Sequence, residues 1–502
     1  MEIKLIDGVI EEEMSVASCA LQPRTRLLRC IGLGCVPLIL VLCVLSCSTV
    51  PTPQSFGFDK AIFGPCFVAD PGTLLGAISR PIVPSSKDRL LLTRASPLII
   101  SSWIRMTVLD AEGYAAWRSS RLATLSDVLP VHILFSARLP GGGREDQSGT
   151  IFVPVLRSDR IQELTWLIFA KGTELRSDFT PSRGKGGELP IITMAASLGY
   201  AVWVPDYSGM GDSQGIHEYC VAESLADSAL DGLAAARHWL RTATIAGHQA
   251  FSESGRLAII GYSEGGLAAM GTFKALAEDH ISVPGLKLEA VYAMGAPFNL
   301  STGLLALWDK GCELSHPEYQ IPLVLGWARA YPEEVDFSTI FLPRTIDRIL
   351  PLFDGTRSDV ELNRRIRAIA GRKGGVVTGA DIFRSDYLEI LRQDPESIPY
   401  IRVQVEARLD AWSPPSDVPL ILAATPTDDT VPFANSQNEY DWVKQHAPLD
   451  NITLVRLASK KHIVAGAEAY LYAIVDLDKR EAKLCDSSGF RRCSDRITYG
   501  RF

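Results

Sequence analysis

One short run, Gly261-Tyr262-Ser263-Glu264-Gly265, has the residue types and spacing for covalent catalysis. The stretch before it, Leu257-Ala258-Ile259-Ile260, is apolar, and Gly266-Leu267-Ala268-Ala269 after it is small and helix-forming. A buried strand that turns through Gly-x-Ser-x-Gly into a helix is a nucleophile elbow. The serine takes strained backbone angles that lift its hydroxyl clear of the sheet, and the flanking glycines leave room for the turn. Gly-x-Ser-x-Gly alone arises by chance, and its bland reading is an ordinary turn before a helix. The apolar strand and the small-residue helix around it single out Ser263 as a nucleophile.

A serine hydroxyl attacks only when a base removes its proton, and the base needs a carboxylate to fix its tautomer. On a sheet of this kind the chain order is Ser, acid, His. Leu420-Ile421-Leu422-Ala423-Ala424 supplies a late strand, and Thr427-Asp428-Asp429-Thr430-Val431-Pro432 supplies the loop after it. Asp428 is the expected acid, and its neighbour Asp429 is read as solvated or capping a turn. His462 is the expected base, because it alone lies on a loop after the last strand and before a helical stretch from Ala465 to Leu471. His132, His238, His248, His280, His316 and His446 sit in a hairpin, beside helices, before strands or in the inserted block. His217 borders the expected pocket but precedes the nucleophile. The transition state places negative charge on the carbonyl oxygen, so backbone N–H groups must point there. Glu264, the residue after the nucleophile, is one expected donor. Gly172 or Thr173, in Phe169-Ala170-Lys171-Gly172-Thr173-Glu174, is the other, with Thr173 favoured because its hydroxyl can assist.

The elements that must position these residues can be drawn from the pattern. Val131 to Phe135 and Thr150 to Pro154 flank Gly141-Gly142-Gly143 and predict a hairpin. Short apolar runs follow at Trp166 to Phe169, Ala201 to Val204, Leu257 to Ile260, Ala290 to Ala293, Leu420 to Ala423 and Ile452 to Leu457. Being apolar on both faces, they predict strands covered by helices on each side. Leu225, Ala229, Leu233, Ala236 and Leu240 recur at helical spacing and predict a crossover helix. Strand–helix alternation makes the fold class α/β, with a mostly parallel central sheet flanked by helices. The rhythm breaks over 300–417, where Ile346, Ile349, Leu350 and Phe353 form one helical face. That block is too long for a loop and predicts a helical lid inserted into the core. The expected organisation is a leader over 1–47, an N-terminal extension packing on the core over 48–129, core over 130–299, lid over 300–417, core over 418–478 and a tail over 479–502.

Beyond the elbow, several runs resemble the secretory lipase family of α/β-hydrolases and its bacterial relatives. Pro71-Gly72-Thr73-Leu74-Leu75 with Arg80-Pro81 is similar to that family's N-terminal motif. Gly199-Tyr200-Ala201-Val202-Trp203-Val204-Pro205-Asp206-Tyr207-Ser208-Gly209 resembles its Gly-Tyr-x-Val-x-x-Pro-Asp-Tyr-x-Gly segment. Gly295-Ala296-Pro297 and Trp412-x-Pro414 also fit, so the resemblance spans about 70–475. Two departures stand out: Lys171-Gly172-Thr173 replaces the common His-Gly-Thr, and His217-Glu218-Tyr219-Cys220 replaces His-Pro-Tyr-Leu. The resemblance implies the α/β-hydrolase fold and an acyl-ester hydrolase whose helical lid covers an apolar acyl pocket.

The N-terminus implies export. Arg24, Arg26 and Arg29 precede an apolar run from Ile31 to Leu45 that ends at Ser46-Cys47. A basic stretch, about 15 apolar residues and a small residue follow the order of a secretory signal. The run is short for a membrane span, which needs roughly 20 residues. Val44-Leu45-Ser46-Cys47 resembles a bacterial lipobox, making Cys47 a candidate lipidation site. A plain signal peptide and an uncleaved anchor are the alternatives, and Met14 is an alternative start to Met1. The expected destination is the bacterial cell envelope or the medium, with the N-terminal lipid as a route of membrane attachment.

Ten cysteines include five outside the leader: Cys66, Cys220, Cys312, Cys485 and Cys493. Cys485 and Cys493 either pair in an oxidising compartment or remain buried thiols. Neither Cys-x-x-Cys nor His-x-x-x-His occurs, so no metal site is expected. A net charge of -8 offers no basic face for nucleic acid. The chemistry itself requires no organic cofactor. The leading reading is a lipase or carboxylesterase acting on a small-molecule or lipid ester through Ser263, Asp428 and His462. A peptidase or amidase on the same residues is the alternative, with Glu174, Asp206 and Glu218 at the pocket rim to receive a charged terminus. An inactive hydrolase fold serving as a surface binding protein is the third reading, against which the intact Ser–Asp–His set argues.

Overall fold

In the computed structural model the described residues are 70–79, 127–155, 161–245, 248–278, 283–300, 313–372, 375–407, 409, 412–446 and 451–487. The leader with Cys47, most of the expected extension, Arg80-Pro81, the apolar run 304–308 and the tail beyond 487 lie outside them. So do Cys66, Cys312, Cys493 and the Cys485 side chain.

Nine strands form one sheet: β1 (Leu74–Ser79), β2 (Asp127–Arg138), β3 (Arg144–Val155), β4 (Gln162–Ala170), β5 (Tyr200–Pro205), β6 (Phe251–Tyr262), β7 (Lys287–Met294), β8 (Leu420–Ala424) and β9 (Ile452–Arg456). Their spatial order is β1-β2-β3-β5-β4-β6-β7-β8-β9. The first three strands meander, β3 meets β5 antiparallel, and every pairing from β5 to β9 is parallel. Two features differ from the sequence expectation. The segment read as irregular extension contributes β1, an edge strand on β2, because Leu74 and its successors offer their backbone to the free side of the hairpin. The last strand is not apolar on both faces: β9 is half exposed, since it closes the far edge of the sheet and has a neighbour on one side only. The central strands carry the expected two-sided burial, with β5 and β8 buried along their whole length.

Helices α1 (Leu189–Ser197), α2 (Ala222–Thr242) and α3 (Glu264–Ala277) follow β4, β5 and β6. The spacing read for α2 is its buried face: Leu225, Ala229, Leu233, Ala236 and Leu240 are all inside. Between β7 and β8 come α4 (Pro317–Ala330), α5 (Pro343–Ile349), α6 (Asp359–Ala370), α7 (Ser385–Gln393) and α8 (Pro399–Glu406). Ile321, Val324, Trp327, Ile349, Ile366 and Tyr400 of this insert are buried and continue the apolar cluster of the core. The insert is tied to the core at Arg329, whose guanidinium meets Glu145 of β3 at 2.6 Å, Glu218 at 3.4 Å and the Ile216 carbonyl. Then α9 (Ala434–His446) and α10 (His462–Ser487) flank the last strands.

This order sets where chemistry can happen. From β4 the chain moves to β5 on one side and then to β6 on the other, so the strand order reverses around β4. In open α/β sheets such a switch point opens a crevice at the strands' C-terminal ends. The loop after β4 and the turn after β6, which carry Thr173 and Ser263, meet there.

Candidate active site

Ser263 leaves β6 with φ 60° and ψ −125°, a backbone conformation that costs a residue bearing a Cβ about 1–3 kcal/mol. The turn is held by the Ser263 N–H donating to the Met294 carbonyl of β7 (2.9 Å) and by the first bonds of α3 to the Ser263 carbonyl. The motif's glycines answer to close approach. A Cβ on Gly261 would stand 1.9 Å from the Gly265 carbonyl oxygen, and one on Gly265 would stand 2.1 Å from that of Ala170. No other residue lets strand, turn and helix pass so closely.

Two further segments converge on Ser263. The His462 Nε2 lies 2.8 Å from the Ser263 Oγ, and its Nδ1 lies 2.8 Å from the Asp428 Oδ2. The Asp428 carboxylate is fully buried and its other oxygen accepts the N–H groups of Thr430 (2.9 Å) and Val431 (2.8 Å). An ionised carboxylate only accepts, so Nδ1 carries the proton and Nε2 presents a lone pair to the serine hydroxyl. His462 is itself the first residue of α10 rather than part of a preceding loop. Asp429 is exposed, and its Oδ1 accepts the His462 backbone N–H at 3.0 Å, at the start of α10. The slight burial it has pushes the Asp429 carboxyl up. The His462 N–H, Lys461 and His316 outweigh that and hold it below the ordinary carboxylate range.

Of the three expected oxyanion donors, one is otherwise engaged. The Gly172 N–H donates to the Glu188 Oε1 at 3.0 Å, so it cannot also point at a substrate oxygen. Among the described residues no acceptor takes the N–H of Thr173 or of Glu264. The Thr173 hydroxyl meets the Tyr219 hydroxyl at 3.0 Å instead of standing free. The Glu264 side chain is buried and bonds to His217 Nε2 at 2.8 Å, while His217 Nδ1 donates to the Ser208 carbonyl at 2.9 Å. His217 thus supports the residue after the nucleophile.

Sequence reasoning missed Glu188. It comes from the start of α1, accepts from Gly172 and from the Tyr470 hydroxyl (2.7 Å), and so fixes the loop after β4. Burial pushes its carboxyl above the ordinary range, against the opposing pull of those two bonds and of Lys171. No motif marks it, because its role depends on α1 and α10 meeting across the loop. Lys171, standing where the resembling family commonly has histidine, is buried with its ammonium 4.5 Å over the Tyr207 ring. The acidic residues proposed for a peptidase rim divide. Asp206 and Glu218 are buried, Asp206 bonded by Ser148 and Glu218 paired with Arg329, so neither is a rim group. Glu174 is half-buried, and burial pushes its carboxyl up to about 7.

The comparisons with known proteins agree with this fold. Residues 176–303, which include the elbow, match the family model for secretory lipases. The chain is an ester hydrolase with the α/β-hydrolase fold. No curated protein matches it. Among solved structures, a point mutant of LipA, the rice cell wall degrading esterase from Xanthomonas oryzae, is 21% identical with a TM-score of 0.62, covering 82% of this chain and 100% of that one. A ligand-bound form of the same esterase is 20% identical with a TM-score of 0.61, covering 82% and 100%. A Legionella pneumophila protein is 21% identical with a TM-score of 0.59, covering 81% and 97%. At such identities the likeness is one of fold. The hydrolase keeps a mostly parallel sheet with the elbow after a central strand.

Proposed function

We propose that this hydrolase cleaves carboxylic esters through a Ser263–His462–Asp428 triad and an acyl-enzyme intermediate. The observation that carries the reading is the continuous relay from Ser263 Oγ through His462 to Asp428, two contacts of 2.8 Å, built on a strained serine. His462 Nε2 takes the hydroxyl proton as Oγ attacks the ester carbonyl. The oxyanion is received by the N–H groups of Glu264 and Thr173. The intermediate collapses, His462 returns the proton to the departing alcohol, and the acyl group stays on Ser263. Water, deprotonated by His462, then attacks the acyl-enzyme and frees the acid and the serine.

The helices between β7 and β8 act as a cap, and their apolar side chains favour an acyl chain beneath them. Each buried methylene is worth about 0.8 kcal/mol. The specificity constant for p-nitrophenyl esters is therefore expected to rise as the acyl chain lengthens from acetyl and to level off where the pocket ends. Aminoacyl amides should turn over far more slowly. Burial of Asp206 and Glu218 removes two of the three groups that a peptidase reading relied on. A flat or falling ester series beside brisk amide cleavage would overturn the esterase reading.

The basic and apolar leader supports export, with Cys47 as the lipid acceptor and the cell envelope as the destination. Metabolic labelling with a radiolabelled fatty acid is expected to tag the wild type and not Cys47→Ser. A processed but unlabelled wild type would make it a freely secreted enzyme.

A further inference from the structure

Tyr262 fills the variable position before the nucleophile, and nothing in the ester-cleaving sequence of steps uses it. Its ring is buried and lies 4.9 Å from the His462 ring. Its hydroxyl donates to the His462 carbonyl at 2.9 Å and lies 3.2 Å from the His462 Nδ1. We propose that Tyr262 is a positioning residue that clamps the His462 imidazole to its own backbone, its oxygen sharing the Nδ1–H with Asp428. The clamp rests on the reading of His462 as the base.

The physical case has two parts. The bond from Nδ1 to Asp428 and the contact of Nε2 with Ser263 hold two points of the ring and leave it free to rock about the line that joins them. The phenol, joined to both the ring edge and the carbonyl of one residue, removes that freedom. Tyr262 and Ser263 are also adjacent on one backbone, so the strand that sets the hydroxyl sets the clamp, and the Oγ–Nε2 separation follows from both. The phenol cannot retreat. A Cβ added at Gly295 would stand 2.4 Å from its ring, and one at Gly466 of α10 would stand 2.9 Å from it. Tyr470 closes another side edge-on, with ring centres 6.2 Å apart.

The charged and titratable groups around the base come from several segments. Asp428 bears on its Nδ1 and Asp429 on its backbone N–H. Glu468 of α10 binds the N–H groups of Ala458 and Ser459 and acts on Tyr262. Lys461 and His316 act on Asp429. The Tyr262 hydroxyl also acts on Asp428 directly, so a phenyl ring removes that contact together with the clamp and leaves the other charges in place, while a fluorinated phenol keeps the hydroxyl.

The experiment measures kcat, KM, the pH dependence of kcat/KM on a p-nitrophenyl ester, and Tm. It compares the wild type, Tyr262→Phe and a protein carrying 3-fluorotyrosine at 262. A phenol oxygen that accepts from Nδ1–H favours the protonated imidazole. Tyr262→Phe should therefore lower kcat about tenfold through a loosened base, with KM little changed, and move the acid limb of the profile to lower pH. Fluorotyrosine keeps the ring and the O–H but accepts more weakly, so it should move the limb the same way by less. An unchanged kcat and limb in Tyr262→Phe would overturn the proposal, as would a fall in kcat that tracks Tm with the limb unmoved. Should Tyr262→Phe not fold, the fluorotyrosine protein decides: a shifted limb supports the clamp and an unshifted one rejects it. His462→Ala, measured alongside, separates the two readings. Ester turnover that survives it removes His462 as the base, whatever Tyr262 does.

Discussion

A Ser263→Ala protein is expected to take up no fluorophosphonate probe and to lose turnover by a factor on the order of 10⁴–10⁶. The size of the effect comes from the division of labour at the elbow. Removing the hydroxyl removes the covalent route entirely, while the proposed donors at Glu264 and Thr173 stay in place to polarise a bound carbonyl. Residual activity above the uncatalysed rate is therefore expected, because only one part of a cooperating set has gone. The fold should survive, since alanine is held at the same φ of 60° and what is lost is the hydrogen bond to His462. Labelling that persists in Ser263→Ala would place the nucleophile elsewhere. An unlabelled wild type would favour the binding-protein reading.

Asp428→Asn is expected to lower kcat by about 10⁴. The carboxylate accepts from Nδ1 with one oxygen and from the N–H groups of Thr430 and Val431 with the other. An amide can keep the two backbone bonds with its oxygen. It must then turn an NH₂ toward Nδ1, which forces the imidazole into the tautomer with its proton on Nε2. That proton faces Ser263, and the base is gone while the geometry remains. Asp429→Asn is expected to be nearly silent in turnover, because an amide oxygen still accepts the His462 backbone N–H. Asp429→Asn doing more damage than Asp428→Asn would mean that the two carboxylates have been assigned in the wrong order. The pair of variants separates a charge that fixes a tautomer from an oxygen that fixes a helix start.

Much of the site can be read along the chain because its chemistry is local or ordered. Gly261 and Gly265 bracket Ser263 in five residues, and the reason for both is a backbone contact within a few residues or with the adjacent strand. Asp428 and His462 follow from chain order after a late strand and at the end of the sheet. Glu188, Tyr470 and the role of Tyr262 are not legible in this way. Each acts through a partner 16 to 282 residues away, such as Glu188 with Gly172 and with Tyr470, and no spacing encodes such a meeting. Asp429 was visible as a neighbour, but its bond to the start of α10 depends on how two loops close on each other.

Sequence alone thus determined the α/β class, the strand and helix that make the elbow, and the identity of the candidate nucleophile, acid and base. These follow from hydrophobic periodicity and from the steric demand of one turn, which are properties of short stretches of chain. The tertiary structure decided which backbone donor is free. The sequence favours Thr173 over Gly172 only for its hydroxyl, and it is the arrival of Glu188 beside the loop that engages the Gly172 N–H and leaves that of Thr173 open. It also decided that Asp206 and Glu218 are interior groups and that residues 74–79 extend the sheet. In each case the deciding quantity is a contact between segments far apart in the chain. A hydrogen-bonding group's availability is set by what else is within about 3 Å of it, and that is a property of the fold.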